Sequence, residues 1–296
     1  MNKFGGVGVA IVTPFNVNGD VDYVGLQKLV NHLISGGVDY LVVQGTTGES
    51  PVITASEKRK ILDLVIEVNE KRLPIVYGLG GNNTLNVCNA IKKMDLSGVD
   101  GLLSVSPYYN KPSQIGLFQH YKMVAEVSEI PVILYNVPSR TGGNVIAETT
   151  LKISEEIKGV VAVKEASGDL QQISQIIQHK PSHFEVISGD DVLTLPILAL
   201  GGQGVISVVA NAFPKSFKNM VHKALNGDFE SARKSHFELL DIMNLLFLEG
   251  NPAGVKEALN HLGLCDSHVR MPLTNVSRGT SELILNAMKA NDLVKI

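Results

Sequence analysis

The sequence lacks several features that would point to particular classes of protein. Its 296 residues include only two cysteines, Cys88 and Cys265, which are far apart. They predict neither a disulfide framework nor a metal site, and they favour a reducing, cytoplasmic setting. The net charge is -3 and no Lys/Arg run occurs, which argues against nucleic acid as a partner. No apolar run approaches the roughly 20 residues that span a bilayer, so no membrane partner is expected.

The sequence does contain enough apolar material for one large core. Hydrophobic residues make up 44% of the chain and charged residues 19%, which fits one large domain with or without a small appendage. Eight short β-rich runs alternate with segments of helical pattern. The predicted strands are Gly8–Thr13, Tyr40–Gln44, Pro74–Gly78, Gly101–Ser106, Pro131–Asn136, Val160–Lys164, Glu185–Ser188 and Gly204–Val209.

The order of these elements predicts the fold class. Eight strands, each followed by a helix, indicate a parallel sheet, and eight such units make a (β/α)8 TIM barrel. An open, doubly wound sheet is the alternative, but the glycines at 5–8 precede the first strand instead of following it. The β signal ends at Pro214. We therefore predict an α/β fold, with a (β/α)8 barrel over residues 1–226 and a C-terminal helical region over residues 227–296.

One lysine stands out at the end of the sixth predicted strand. The run from Val160 to Val163 is typical of a strand buried on both faces, and it leads directly into Lys164. A buried ammonium is costly unless it is paired or becomes neutral, and a neutral lysine forms Schiff bases with carbonyl compounds. The alternative is that Lys164 snorkels to water and pairs with Glu165 or Asp169. This strand alone favours the alternative.

Other polar residues follow the other predicted strands, at the end of a barrel where active sites lie. The second strand leads into Thr46-Thr47, whose hydroxyls can bind a carboxylate, although an ordinary turn is an equal alternative. The fourth leads into Tyr108-Tyr109, which could instead be packing residues. The fifth leads into Tyr135, which can move a proton, and Arg140, which can hold a carboxylate by a bidentate pair. The seventh leads into Gly189-Asp190-Asp191.

These side chains suit one kind of chemistry better than others. Lysine, tyrosine, threonine and arginine fit carbonyl chemistry on a substrate that bears carboxylates. Asp190-Asp191 alone is a weak pair of metal ligands, so no metal site is predicted. No Walker A pattern for nucleotide phosphates is present.

The chain resembles the pyruvate-dependent class I aldolase and lyase family along nearly its whole length. The resemblance rests on five short motifs that occur in order at the spacing of the strands. They are Gly45-Thr46-Thr47-Gly48-Glu49, Tyr108-Tyr109-Asn110, Tyr135-Asn136-Val137-Pro138-Ser139-Arg140-Thr141, Val163-Lys164-Glu165 and Gly204-Val205-Ile206-Ser207. It implies a Schiff-base-forming lyase that needs no organic cofactor and no catalytic metal.

The resemblance implies a catalytic role for four residues. Lys164 would form the Schiff base with pyruvate, and Tyr135 would be the central proton donor and acceptor. Thr46 and Tyr109 would complete a proton relay with Tyr135. In this family the tyrosine at the position of Tyr109 reaches the site from a neighbouring subunit. The resemblance thus also implies a homodimer or homotetramer.

Four further residues would bind substrate. Thr47, Gly189 and the backbone at Ile206 would position the pyruvate, and Arg140 would bind the carboxylate of the second substrate, L-aspartate 4-semialdehyde. The implied reaction is the condensation of these two compounds in the diaminopimelate branch of lysine biosynthesis.

Two other functions are possible for a chain with these residues: cleavage of a sugar acid and non-catalytic binding of a keto acid. Sister enzymes that cleave sialic acid or 2-keto-3-deoxy sugar acids share the lysine and the tyrosine, but Thr46-Thr47 and Ser139-Arg140-Thr141 match the condensing branch. A non-catalytic keto-acid sensor on the same scaffold is the other alternative. A complete relay argues against a sensor, which needs neither tyrosine as a base.

The resemblance also implies a site for feedback inhibition by L-lysine, and here the chain departs from the pattern. Strongly inhibited relatives carry histidines at the positions of Ala55 and Lys58 and a glutamate at that of Asn86. The cation of Lys58 would repel the effector's ammonium, and the amide of Asn86 could not pair with it as a carboxylate would. We therefore predict weak or absent inhibition. The aligned positions are Ser50, Pro51, Ala55, Lys58, Asn82, Asn86 and Tyr108.

Overall fold

The computed structural model of the chain describes residues 3–291 and residue 293. Within these residues, eight parallel strands pair in sequence order, and the first strand pairs with the eighth to close the barrel. The predicted (β/α)8 barrel is confirmed, and the open sheet is wrong. The strands are β1 Gly6–Ala10, β2 Tyr40–Val43, β3 Ile75–Gly78, β4 Gly101–Val105, β5 Val132–Asn136, β6 Val160–Glu165, β7 Glu185–Ser188 and β8 Gly204–Ser207.

Helices follow the strands and cover the outside of the barrel. Helix α2 begins at a capping box, in which the Thr54 hydroxyl accepts from the Glu57 backbone and the Glu57 carboxylate accepts from the Thr54 backbone. The helices are α1 Tyr23–Gly36, α2 Ala55–Asn69, α3 Thr84–Lys93, α4 Gln114–Val127, α5 Pro138–Thr141, α6 Ala147–Glu156, α7 Leu170–His179, α8 Thr194–Ala199, α9 Pro214–Leu225, α10 Phe229–Leu245, α11 Ala253–His261 and α12 Arg278–Ala290.

The alternation of side chains along each strand separates two apolar clusters. Residues such as Val42 and Ile133 fill the interior of the barrel with Phe4 and Tyr40. Their neighbours along the strands, such as Val43 and Leu134, pack outward against the helices. Both sets are buried, which explains why the strand sequences are apolar without interruption.

Seven of the eight predicted strands differ from the structure at an end, five of them by one residue, and the larger differences are at β1 and β8. Strand β1 stops at Ala10 rather than Thr13, because the next residues bind loops: the Val12 amide donates to Asn211 Oδ1. Strand β8 stops at Ser207, and a 3₁₀ turn over Val209–Asn211 follows it. The single turn α5, which carries Arg140, was not predicted.

The C-terminal helices pack on one side of the barrel. Helix α10 lies against α9 and α8, and α12 lies against α10 and α11. The predicted boundary at residues 226 and 227 falls between α9 and α10, and it stays a prediction. None of the described helices is long and apolar enough to cross a membrane.

Candidate active site

Lys164 lies inside the barrel and is buried. It stands next to the last residue of β6, in register with Tyr135 on β5, and is 5% exposed. Its Nζ atom lies 4.2 Å from the centroid of the Tyr135 ring, a distance typical of an amine packed on an aromatic face. Among the described residues, Lys164 forms no ion pair, neither with Glu165 nor with Asp169. The snorkelling alternative therefore does not describe this side chain.

Gly189 leaves the space that the lysine side chain occupies. It directly follows β7, and its amide donates to the Glu165 carbonyl at 2.8 Å. A Cβ atom at this position would lie 3.1 Å from Lys164 Cε and 2.7 Å from Ala166 Cβ. Any larger residue would therefore displace the lysine.

A cavity of about 370 Å³ opens beside Tyr135, whose ring packs against Lys164; Lys164 itself is not among the residues that line it. Thr46, Tyr108, Tyr135 and Arg140 all line it, so the structure brings together four of the predicted residues that come from three different strands. Arg140 is exposed on α5, and its guanidinium forms no ion pair with another of the described residues. A free cation at the cavity is suited to bind a carboxylate.

Thr47 and Ile206 do not line this cavity. Thr47 is buried, and its Oγ1 accepts a 2.9 Å hydrogen bond from Asn251 Nδ2. Because the amide nitrogen can only donate, the Thr47 hydroxyl keeps its own proton for another acceptor. Ile206 is 1% exposed on β8, where it pairs with Gly8.

Tyr109 does not lie in this cavity. It is 88% exposed and has a positive φ of 73°, and its amide contacts the Thr141 carbonyl at 3.4 Å. A side chain that extends this far from its own chain contributes nothing to the cavity of the same subunit. Any role for Tyr109 in the relay therefore needs a second copy of the chain.

The C-terminal region holds the loop that carries Thr46 and Thr47. Lys256 on α11 is fully buried, and its Nζ donates to Glu49 Oε1 at 2.5 Å and to the His268 carbonyl at 2.7 Å. Glu49 Oε2 accepts from the Arg270 amide at 2.9 Å. Both cations lie over the Phe15 ring, at 4.1 and 4.5 Å. We call the set of Phe15, Glu49, Lys256 and Arg270 the loop clamp.

Arg270 extends the loop clamp to the start of α2. Its guanidinium contacts the Glu57 carboxylate at 2.5 Å and the Val52 carbonyl at 2.9 Å. The hydrogen bond from the Arg270 guanidinium to the Glu57 carboxylate is the main reason why the pKa of Glu57 falls to about 2. In contrast, desolvation lowers the pKa of the fully buried Lys256, against the attraction of Glu49.

Sequence reasoning missed Asn251 and the loop clamp. A charged residue within the apolar stretch around α11 was the one available signal for Lys256, since such a lysine must find a partner. Nothing local identifies Glu49 as that partner, because 207 positions separate the two residues. Asn251 gives no signal at all.

A second cavity, of about 690 Å³, adjoins the first one. Five of the seven predicted effector residues line it: Ser50, Ala55, Lys58, Asn82 and Asn86. The other two, Pro51 and Tyr108, line the smaller cavity, and Ser50 and Lys58 line both. Burial lowers the pKa of Lys58.

A buried carboxylate lies beyond β7. Asp191 is 3% exposed, and its Oδ2 accepts from the amides of Val208 and Val209 at 3.0 and 2.9 Å. It thereby fixes the segment that follows β8. Burial raises its pKa to about 6 in spite of these bonds. Among the described residues, no group of three or more His, Cys, Asp or Glu side chains could hold a metal ion.

The fold and this site define a class: (β/α)8 barrels of the lysine-bearing aldolase and lyase type. A family model described as the dihydrodipicolinate synthetase family matches residues 3–291, and the chain belongs to that family. The resemblance inferred from the sequence is thereby confirmed.

Named relatives and solved structures agree with this assignment. The chain is 49% identical over 284 residues to the 4-hydroxy-tetrahydrodipicolinate synthase of Parabacteroides distasonis, with 96% of each chain covered. It is similar to the dihydrodipicolinate synthase of Thermotoga maritima, with a TM-score of 0.96, 40% identity and coverage of 99% of this chain and 100% of the other. It is also similar to the enzyme of Cyanidioschyzon merolae solved with lysine bound, with a TM-score of 0.95, 38% identity, and coverage of 99% and 100%.

Proposed function

We propose that this chain condenses pyruvate with L-aspartate 4-semialdehyde to give 4-hydroxy-tetrahydrodipicolinate, a step of the diaminopimelate and lysine pathway. The relative from Parabacteroides distasonis, which is named for this activity, matches 96% of the chain. The observation in the structure that supports the proposal best is the buried Lys164 on the Tyr135 ring. It gives a lysine nucleophile a partner that can move protons.

The reaction begins at Lys164. Its amine adds to the pyruvate carbonyl and water leaves, which forms the imine. The protonated imine withdraws electrons, so a methyl proton is lost and an enamine forms. The enamine carbon attacks the aldehyde of the second substrate. The amino group of that substrate then displaces Lys164 by transimination, which closes the ring and frees the lysine.

Tyr135 moves the protons in these steps, with Thr46 and Tyr109 as its relay partners. Thr46 and Tyr135 line one cavity, while the exposed Tyr109 acts in the site of a neighbouring subunit. The chain therefore works as a homodimer or a homotetramer, and the reducing cytoplasm suits its free cysteines.

The remaining predicted residues bind the substrates. Thr47, whose hydroxyl proton is available because Asn251 donates to its oxygen, and the backbone at Ile206 hold the pyruvate carboxylate. Gly189 leaves room for the imine carbon. Arg140 holds the carboxylate of the semialdehyde at the mouth of the cavity.

The test is reduction by borohydride in the presence of pyruvate, followed by mass spectrometry of peptides. We expect one reduced adduct on Lys164, its loss in Lys164→Arg, and its retention in the matched control Lys158→Arg, a change at an exposed lysine before β6. Turnover is then compared with L-aspartate 4-semialdehyde and with N-acetylneuraminate. Absence of an adduct in the unchanged protein would overturn the proposal, and cleavage of sialic acid alone would reassign the substrate.

A further inference from the structure

A buried carboxylate stands directly behind the candidate lysine. Glu165 is 0% exposed, and its Oε1 accepts from the Ser167 amide at 2.8 Å. Asn136 Nδ2 donates to both carboxylate oxygens, at 3.2 and 3.1 Å, and Gln172 Nε2 donates to Oε2 at 3.1 Å. All these donors are neutral. Among the described residues, Glu165 forms no ion pair, and burial raises its pKa.

The amides that bind Glu165 continue into the loop between β5 and α6. Asn136 Nδ2 donates to Asn144 Oδ1 at 2.8 Å, and Asn136 Oδ1 accepts from the Val145 amide at 3.0 Å. Asn144 Nδ2 donates to Gln172 Oε1 at 2.8 Å. We call Asn136, Asn144, Glu165 and Gln172 the rear network.

The rear network shares its backbone with the reacting groups. Asn136 pairs with Glu165 in the sheet, one step beyond the pair of Tyr135 and Lys164. Side chains alternate along a strand, so the network lies on the opposite face of the sheet from these two. The loop that it holds at Asn144 and Val145 is the loop that carries Arg140.

We propose that Glu165 and the other members of the rear network are positioning residues, which fix Lys164 relative to Tyr135 and fix the loop that bears Arg140. This proposal rests on the proposed function. The mechanism needs a proton to pass from the methyl carbon of the imine to Tyr135, and such a transfer depends steeply on the distance between the groups. No residue of the rear network touches substrate.

The network has a reason to contain a carboxylate. Its two oxygens accept from three separate N–H donors, whereas an amide would offer one oxygen and turn an NH₂ group toward a donor. Glu165→Gln would therefore leave a buried donor unpaired and shift one strand end against the other.

The decisive measurement separates imine formation from proton transfer. Borohydride trapping at saturating pyruvate reports the imine on Lys164. Exchange of the pyruvate methyl protons for deuterium, followed by NMR without the second substrate, reports the transfer through Tyr135. For Glu165→Gln we expect the trapped adduct to persist, the exchange to slow at least about tenfold, and the KM for the semialdehyde to rise. Circular dichroism gives the folded fraction to which all rates are referred.

A milder pair of variants covers the case in which Glu165→Gln does not fold. Gln172→Met removes one donor to Glu165 and the contact to Asn144, and it should slow the exchange severalfold in the same direction. Its matched control is Gln171→Met, at the exposed neighbouring glutamine, which should exchange at the unchanged rate. The double variant N136D/E165Q returns a carboxylate opposite an amide, and it should recover part of the exchange rate.

The outcomes are distinguishable. If the unchanged protein forms no adduct, the proposed function fails. If it forms the adduct and exchanges protons, but the folded network variants exchange within twofold of it, the positioning role is refuted. A loss of exchange that only follows the loss of folded protein also refutes it.

Discussion

The loop clamp makes a quantitative prediction for Lys256→Met. The substitution keeps the length and packing of the side chain over Phe15, but it leaves the Glu49 carboxylate buried without the ammonium at 2.5 Å. Removing one partner of a buried ion pair typically costs about 3–5 kcal/mol, because the other charge stays uncompensated. Glu49 keeps its hydrogen bond from the Arg270 amide, so we expect the lower end, about 3 kcal/mol. The corresponding fall in Tm is on the order of 5–10 °C.

The assay combines stability with function. Thermal unfolding gives the change in Tm, and borohydride trapping gives the rate of adduct formation per folded molecule. The control is Lys234→Met, which breaks an ion pair with Glu230 whose side chains are 72% and 75% exposed. We expect it to change stability by less than about 1 kcal/mol.

A double variant tests the cause of the loss. In E49Q/K256M neither buried charge remains, so the double variant should be more stable than Lys256→Met alone. Two results would refute this reasoning. One is a loss for Lys256→Met no larger than for the surface control, and the other is a double variant that is no better than the single one.

Three further predictions concern the site. In Gly189→Ala the new Cβ meets Lys164 Cε at 3.1 Å, so trapping of the pyruvate adduct should slow at least about tenfold; a rate within twofold of the unchanged protein would contradict this. The Asp191 carboxyl, with its pKa raised from 3.8 to about 6, holds its proton more tightly in the folded state, so its contribution to stability is complete below pH 3.8 and is lost as the pH rises through about 6. The gap corresponds to about 3 kcal/mol in all, of which about 2 kcal/mol falls between pH 4 and pH 7 because the unfolded carboxyl is already half ionised near pH 4. Urea unfolding should show Asp191→Asn gaining about 2 kcal/mol relative to the unchanged protein between these two pH values, and a constant difference would argue against it. L-lysine should inhibit weakly, because Lys58 and Asn86 line the 690 Å³ cavity where the effector is predicted to bind; half-inhibition at submillimolar lysine in a steady-state assay would refute that.

The barrel and the position of Lys164 could be predicted from sequence because both depend on local order. A β-rich run that ends in a lysine is visible within seven residues, and the strand count needs only the alternation of patterns. The mouth of the barrel follows as well, since the carboxyl ends of parallel strands meet at one end.

The supports of the site could not be predicted, because their contacts join distant positions. Asn251 contacts Thr47 across 204 positions. Gln172 contacts Glu165 across seven, but an ordinary helical pattern hides its role. The end of β1 was misplaced for the same reason, since Val12 is apolar like a strand residue but bonds to Asn211. A local sequence pattern indicates that a side chain is buried, but it does not indicate which distant residue that side chain or its backbone will contact.

The loop clamp has a consequence for the order in which the site is completed during synthesis. Thr46, Tyr135 and Lys164 emerge from the ribosome long before Lys256 and Arg270, since the chain is synthesised from its N-terminus. Until those last residues emerge, the Glu49 carboxylate has no ammonium to bind. A nascent barrel can thus hold its candidate lysine before the loop that bears Thr46 and Thr47 is fixed. The candidate site is therefore complete only when the final quarter of the chain has been made, although that part supplies none of the residues predicted to react.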